Sequence, residues 1–267
     1  MNDVYTLIEP SKPLVPIILS VPHCGVGFPN ELKDQFVADK MAAPDDTDWY
    51  VQDLYNFVSE LGITIIHANF SRWVIDLNRD PESKALYDDG RIITALTPTT
   101  DFFGDNIYLD ERFHPNTTEV DRRLDAYYWP YYKQLEKLLL ERKEQFGKVL
   151  LWDAHSIRHF VPTIRKEIFP DMILGNNDGK SADATLIETA LNTLRSGSYQ
   201  INHNEPFKGG HITRYFGKPG ENVHALQLEM NKILYMDDTE KEFAPERADK
   251  VRELLRPVFE NLIEKLS

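Results

Sequence analysis

Two apolar runs of four to six residues, Pro16-Ile17-Ile18-Leu19-Ser20-Val21 and Val149-Leu150-Leu151-Trp152, constrain this chain more than any other feature. Each is short for a helix and lacks the polar alternation of a half-exposed strand. Each therefore reads as a strand buried on both faces, the kind that parallel sheets use. Both runs end alike. The first turns out through Pro22-His23-Cys24-Gly25 and the second through Asp153-Ala154-His155-Ser156, so each presents an imidazole where a buried strand meets solvent. In α/β proteins that is where chemistry is placed.

Helical and strand patterns alternate along the rest of the chain. Val51, Leu54, Phe57, Val58 and Leu61 predict a helix over Trp49 to Leu61, capped by an aspartate of Asp45-Asp46-Thr47-Asp48 and closed by Gly62. Ile63 to Ile66 and Trp73 to Leu77 read as strands, the second emptying into Asn78-Arg79-Asp80-Pro81. From Asp80 to Asn116 the chain is rich in Pro, Gly, Thr and Asp with little periodicity, and so long a loop is usually functional, here a lid or rim. Glu119 to Phe146 forms a long amphipathic pattern with a bend expected at Pro130. Met172 to Gly175 predicts a strand, Ala182 to Arg195 a helix and Tyr199 to Ile201 an edge strand. Pro206 to Gly210 reads as a flexible turn, Val223 to Met230 as a strand, and Pro245 to Leu266 as a last helix covering the sheet. No repeat, low-complexity tract or linker interrupts this order, so one α/β domain over 1–267 is expected.

Composition narrows the function. The chain has 267 residues, 42% of them hydrophobic, enough for a sizeable core. A formal charge of −13 and an isoelectric point near 5.1, with no basic cluster to reverse them locally, exclude nucleic acid as an expected partner. Cys24 is the single cysteine, so no internal disulfide forms. The Met1 end lacks a basic-then-apolar signal pattern, and no apolar run suits a bilayer. A soluble, cytoplasmic protein without a membrane partner is expected; its oligomeric state is open.

The residues able to do chemistry are few. Either histidine alone reads more readily as a buried, hydrogen-bonded side chain; two at matching strand ends suggest a divalent metal. A catalytic zinc site takes three N or O ligands and leaves one position for water, so a carboxylate is wanted, and Asp46 and Asp48 are the candidates. Cys24 beside His23 reads as a packed small side chain. Glu229, on a strand of apolar and amide residues, must face solvent or a polar cavity, where it could take a proton from metal-bound water. Arg72 and Arg79 have Asp76 and Asp80 nearby for ion pairs, yet an Asn78-Arg79 pair opening a strand-end loop can also grip a carboxylate. Arg214, after Gly209-Gly210-His211, is a third candidate anion clamp.

Five ordered segments resemble the N-formylglutamate amidohydrolase (deformylase) family. They are Ser20-Val21-Pro22-His23-Cys24-Gly25, Asp46-Thr47-Asp48-Trp49, Ser71-Arg72-Trp73-Val74-Ile75-Asp76-Leu77-Asn78-Arg79-Asp80, Asp153-Ala154-His155-Ser156, and Phe207 to Arg214 with His224 to Met230. Because that family is related to zinc carboxypeptidases and aspartoacylases, the resemblance implies a three-layer α/β/α fold with a mixed central sheet, phosphorylase/hydrolase-like. It also implies Zn²⁺ or another divalent transition metal, and a small anionic substrate, N-formyl-L-glutamate, cleaved to glutamate and formate in histidine degradation. In those relatives a His-x-x-Glu pair and a distant His hold zinc. Here Val26 stands three residues after His23, so the carboxylate comes from elsewhere, and the resemblance points to Asp46 with Asp48 as its rival. Carried over, His23, Asp46 and His155 become ligands and Glu229 the general base and acid. Arg72 assists at the oxyanion; Asn78, Arg79 and Arg214 hold the substrate carboxylates in a positive pocket. The alternatives are a metal amidohydrolase for another N-acyl amino acid or peptide-like amide, and a catalytically silent carboxylate-binding protein.

Overall fold

The structure, a computed structural model, describes residues 3–82, 84 and 95–267. Seven strands form one sheet: β1 (Tyr5–Ile8), β2 (Ile17–Val21), β3 (Thr64–Ala68), β4 (Val149–Ile157), β5 (Met172–Gly175), β6 (Ile201–His203) and β7 (Val223–Asn231). Their order is β1-β3-β2-β4-β7-β5-β6. The central strands β3, β2, β4 and β7 run parallel, while β1 pairs antiparallel with β3 and β5 antiparallel with β7. From β2 the chain crosses to β3 on one side and later returns to β4 on the other. That divergence opens a crevice at the carboxyl ends of β2 and β4, the usual ligand position in such sheets.

The helices are α1 (Ala38–Ala42), α2 (Val51–Leu54), α3 (Thr117–Arg123), α4 (Trp129–Phe146), α5 (Ala184–Arg195), α6 (His211–Phe216) and α7 (Pro245–Leu266). On one face of the sheet, Leu19, Trp152 and Leu228 pack with Leu186 and Leu194 of α5 and Leu255 and Phe259 of α7. On the other, Ile18, Leu151 and Ala225 pack with Tyr131 and Leu135 of α4 and Ile212 of α6. The expected three-layer α/β/α arrangement with a mixed central sheet is the observed one. No helix among the described residues is long and apolar enough to cross a membrane.

Several local expectations change. β4 does not end at Trp152 but continues to Ile157, buried throughout, so His155 sits within the strand instead of on a turn after it. Trp73 to Leu77 is not a strand. Its backbone is satisfied outside any ladder: Val74 N–H donates to Ser71 O, Asp76 N–H to Leu96 O, and the Val74 and Leu77 carbonyls accept from Arg123 and the Tyr132 hydroxyl. The helix predicted over Trp49 to Leu61 divides into α2 and a 3₁₀ segment, Asn56–Leu61, with Tyr50 left-handed at φ 61° and no side-chain cap. The aspartates expected to cap it are engaged in the site. Pro130 falls in the first turn of α4, where proline is tolerated, and a π turn over Leu124–Tyr128 joins α3 to α4, with Trp129 N–H reaching back to Leu124 O. Strand β1 and helix α6 carried no clear pattern. Of the Asp80 to Asn116 loop, expected as a lid or rim, residues 83 and 85–94 lie outside the described residues.

Candidate active site

One face of the central strands changes character halfway along. With a side-chain period of two, Val149 and Leu151 share a face with Asp153 and His155, and Ala225 shares it with Gln227 and Glu229. Ile18 and Ser20 do the same on β2, where the Ser20 hydroxyl lies 3.0 Å from the Tyr131 hydroxyl of α4. The register sets His155 opposite Glu229 and Asp153 opposite Gln227. The apolar halves pack beneath α4 and α6, and the polar halves meet where the loops after β2 and β4 converge.

His23, two residues beyond β2, and His155 come together with rings 4.8 Å apart between centroids. Asp48 joins them: its Oδ2 is 3.0 Å from His155 Nδ1 and 3.8 Å from His23 Nδ1. A backbone bond from Asp48 N–H to His23 O, 3.0 Å, fixes the loop against the strand exit. The donors of the three residues lie within 4.8 Å of one another, and all three residues are buried. Tetrahedral zinc, with ligands near ~2 Å, separates its donors by about 3.3 Å, a spacing that these contacts bracket. The residues therefore fit a divalent cation, with both Nδ1 atoms facing it and the open side towards a cavity. The expected carboxylate was Asp46; the structure groups Asp48 instead. Asp46 accepts from Trp73 Nε1 at 3.0 Å and from Phe102 N–H at 2.9 Å, which occupies both its oxygens. Cys24 stays apart, its buried thiol directed at the Val21 and Ala68 carbonyls.

Outer partners hold the rings from behind. His23 Nε2 is 2.7 Å from Asp76 Oδ1, and His155 Nε2 is 3.1 Å from Asp153 Oδ2 and 2.9 Å from Asn78 Nδ2. A carboxylate on the far nitrogen of a ligating imidazole fixes its tautomer and orientation. Burial pushes His23 down to about 4, with the Arg72 charge acting in the same direction. Burial would also lower His155, but the Asp153 and Asp48 carboxylates outweigh it and raise the ring well above the ordinary range. Asp76 is buried, yet Arg72, His23 and Arg79 hold it well below the usual carboxylate range. Sequence reasoning treated Asp76 only as an ion-pair partner. An acid inside the apolar run Trp73-Val74-Ile75-Asp76-Leu77 was the signal that could have marked it.

The cavity above this group measures about 290 Å³. Arg72, Arg79, Asn78, Gln227 and Glu229 line it beside the imidazoles, and Pro98 to Phe102 with Thr163 and Phe207 enclose it. Arg72 Nη2 donates to Asp76 Oδ2 at 2.5 Å while its guanidinium lies 5.1 Å from the Phe102 ring centroid. Asn78 is more committed than a substrate clamp would be: its Oδ1 accepts from Ile212 N–H at 2.8 Å, and its Nδ2 faces His155. Arg214 does not line the cavity; its Nε donates to Gly209 O at 2.9 Å, turning the guanidinium onto the glycine loop. Among the described lining residues, Arg72 and Arg79 are accompanied by the acids Asp48, Asp101 and Glu229. A divalent cation would reverse that balance.

Glu229 lines the same cavity, in register with His155. Burial raises its pKa to about 7, against the pull of the His155 charge. Gln227 Nε2 donates to Glu229 Oε2 at 3.2 Å, while Gln227 Oε1 accepts from Gly210 N–H at 2.7 Å. Gln227 thus ties Glu229 to the Gly209-Gly210 loop, a role the sequence signalled only through its shared strand face.

Three side chains able to hold a divalent cation thus share a cavity with a buried carboxyl and two guanidiniums, and the comparisons with known proteins name a family. The model of the N-formylglutamate amidohydrolase family matches residues 15–236. The N-formylglutamate deformylase of Pseudomonas putida is 39% identical over 227 residues, covering 85% of this chain and 84% of that protein. The deformylase of the same name from Pseudomonas aeruginosa is 37% identical over 253 residues and 93% of each. The crystal structure of N-formylglutamate amidohydrolase from Ralstonia eutropha JMP134 superposes with a TM-score of 0.79 at 25% identity over 97% of both chains. The chain belongs to the N-formylglutamate amidohydrolase family.

Proposed function

We propose that this protein hydrolyses N-formyl-L-glutamate to L-glutamate and formate, with His23, Asp48 and His155 holding a divalent cation, zinc by the chemistry of the donor set. The observation that carries the reading is the convergence of those three side chains at the floor of a cavity that also exposes Glu229 and two guanidiniums. Asp48 replaces Asp46 in the ligand set on geometry. When bound, the cation polarises the formyl oxygen and lowers the pKa of a coordinated water towards ~7.

This chain's own residues do the rest. Glu229 accepts the proton of the attacking water and delivers it to the departing amide nitrogen, so that glutamate leaves as a neutral amine and not as an amide anion. Its affinity for that proton, set by burial, lies near neutrality, which suits both transfers. Gln227 occupies Oε2 and leaves Oε1 for the proton. Arg72, fixed by Asp76, supports the developing oxyanion. Arg79 binds a substrate carboxylate, while Asn78 Nδ2 donates to Asp153, the carboxylate behind His155. The reaction runs in one catalytic domain spanning 1–267, in the cytoplasm, as a step in histidine breakdown.

Formate release from N-formyl-L-glutamate, measured with elemental analysis, tests this directly. Removal of the metal by a chelator abolishes release and added zinc restores it; full activity in a verified metal-free preparation excludes the scheme.

A further inference from the structure

Asp46, expected among the ligands, has a different occupation. It is buried, and it bridges two parts of the molecule: Oδ2 accepts from Trp73 Nε1 at the base of the site and Oδ1 from the Phe102 amide in the roof. Phe102 is held from other sides too. Its carbonyl accepts from the Thr163 hydroxyl, its ring faces Arg72, and it packs with Ile164 and Phe207 against Ile157. Phe103 lies 5.5 Å from the Arg158 guanidinium, and Arg158 is ion-paired with Asp45. The loop that delivers Asp48 therefore also suspends the roof, through the two residues Asp45 and Asp46.

The place of Phe102 bears on substrate size. A bound amide is planar about its carbonyl carbon. On the deformylase reading its oxygen would be placed towards Arg72, and its nitrogen would lead to the glutamate held by Arg79. The third substituent, hydrogen in a formyl group and carbon in any other acyl group, would then lie beneath the roof, where the Phe102 ring lines the cavity 5.1 Å from the Arg72 guanidinium.

We propose that Asp46 is a positioning residue that suspends Phe102 over the cavity, and that the Phe102 ring restricts the substrate to N-acylglutamates with the smallest acyl group. The acyl-size part rests on the deformylase reading above; the suspension of the roof does not.

The test compares wild type, Asp46→Ala and Phe102→Ala in three measurements: zinc content, amide exchange of the 98–105 segment, and kcat/KM for N-formyl-, N-acetyl- and N-butyryl-L-glutamate. Asp46→Ala keeps the zinc content of wild type and exchanges the roof segment about tenfold faster or more, because a buried backbone donor loses its acceptor. Phe102→Ala raises the butyryl-to-formyl ratio of kcat/KM by about tenfold or more, and Asp46→Ala moves it in the same direction. Loss of zinc from folded Asp46→Ala, or unchanged roof exchange, overturns the positioning role. An unchanged acyl ratio in Phe102→Ala overturns the size limit. If Asp46→Ala does not fold, Asp46→Asn keeps the shape with one acceptor fewer and is read by the same exchange measurement. A wild-type protein inert towards every N-acylglutamate defeats the size limit together with the deformylase reading, while exchange still decides the anchor.

Discussion

The two faces of the central sheet are built from the same strands and serve opposite ends. Towards α5 and α7, Leu150, Trp152 and Ala154 on β4 and Leu226, Leu228 and Met230 on β7 are buried and apolar, with polar residues only towards the strand ends, Ser156 on β4 and His224 on β7. Towards α4 and α6, the neighbouring residues begin apolar, with Leu151 and Ala225, and then become Asp153, His155, Gln227 and Glu229. Buried polar groups cost free energy that only partners offset. On this face the partners are largely one another, and on the proposed function a cation and substrate would complete them. The difference teaches that stability is concentrated on the largely apolar face and chemistry on the polar one. Residues adjacent in sequence should then fail in different ways.

The largest effect expected is at Glu229. Glu229→Gln keeps the shape and the metal but loses the proton acceptor, so kcat falls by about 10²–10⁴-fold. Stability should hold or rise. With a folded pKa of about 7 against the ordinary 4.5, the folded state keeps this proton where the unfolded chain has released it. The group's contribution to stability therefore declines as pH rises through that window, and the amide abolishes the decline. Steady-state kinetics with calorimetry at neutral pH checks both, and a rate within tenfold of wild type breaks the contrast between the faces. Leu228→Ala, one residue earlier and fully buried on the other face, should do the reverse. It costs about 2–5 kcal/mol of stability by denaturant titration, while the folded enzyme keeps its kcat within a few fold. Intermediate in size is Asp76→Asn. Removing the carboxylate behind His23 should weaken zinc affinity by about 10–100-fold, measured by competition with a chromophoric chelator, with little change in the Leu228 face.

These contrasts also mark what could be read from the chain beforehand. The layered fold was legible because short apolar runs and helical spacing are local signals, as in Ile17-Ile18-Leu19 and the Leu135-Leu138-Leu139 stripe of α4. The imidazoles and Glu229 were legible because each is a polar residue at the end of an apolar pattern. Choosing between Asp46 and Asp48 was not possible from spacing, since two acids separated by one residue differ only in what folds against them. Asp48 meets two rings brought from β2 and β4, whereas Asp46 meets an indole and a roof amide. Trp73 to Leu77 imitated a strand because its apolar residues are buried; they are buried by a turn whose hydrogen bonds go to distant side chains such as Arg123 and Tyr132. Arg214 looked like a clamp beside two glycines, and only the geometry of α6 turns its Nε to Gly209 O.

The finest test of the polar face concerns Gln227, whose amide N–H donates to Glu229 Oε2. A donor on a carboxylate favours the ionised form, so Gln227 works against the burial that pushes Glu229 up to about 7. The acid limb of kcat/KM reports the base of the free enzyme, and activity should decline as pH falls through the pKa of Glu229, which burial raises and a bound cation would lower. Gln227→Leu removes the donor, favours the protonated acid and moves that limb to higher pH. A single hydrogen bond contributes about 1 kcal/mol, which corresponds to a displacement of somewhat less than ~1 pH unit. Well above the limb the variant should recover most of the wild-type rate, because enough hydroxide restores the carboxylate that the amide had helped to hold. A uniform loss at every pH would instead trace to the Gly210 N–H that Gln227 Oε1 accepts, making the residue a prop for the glycine loop and not a modulator of the base.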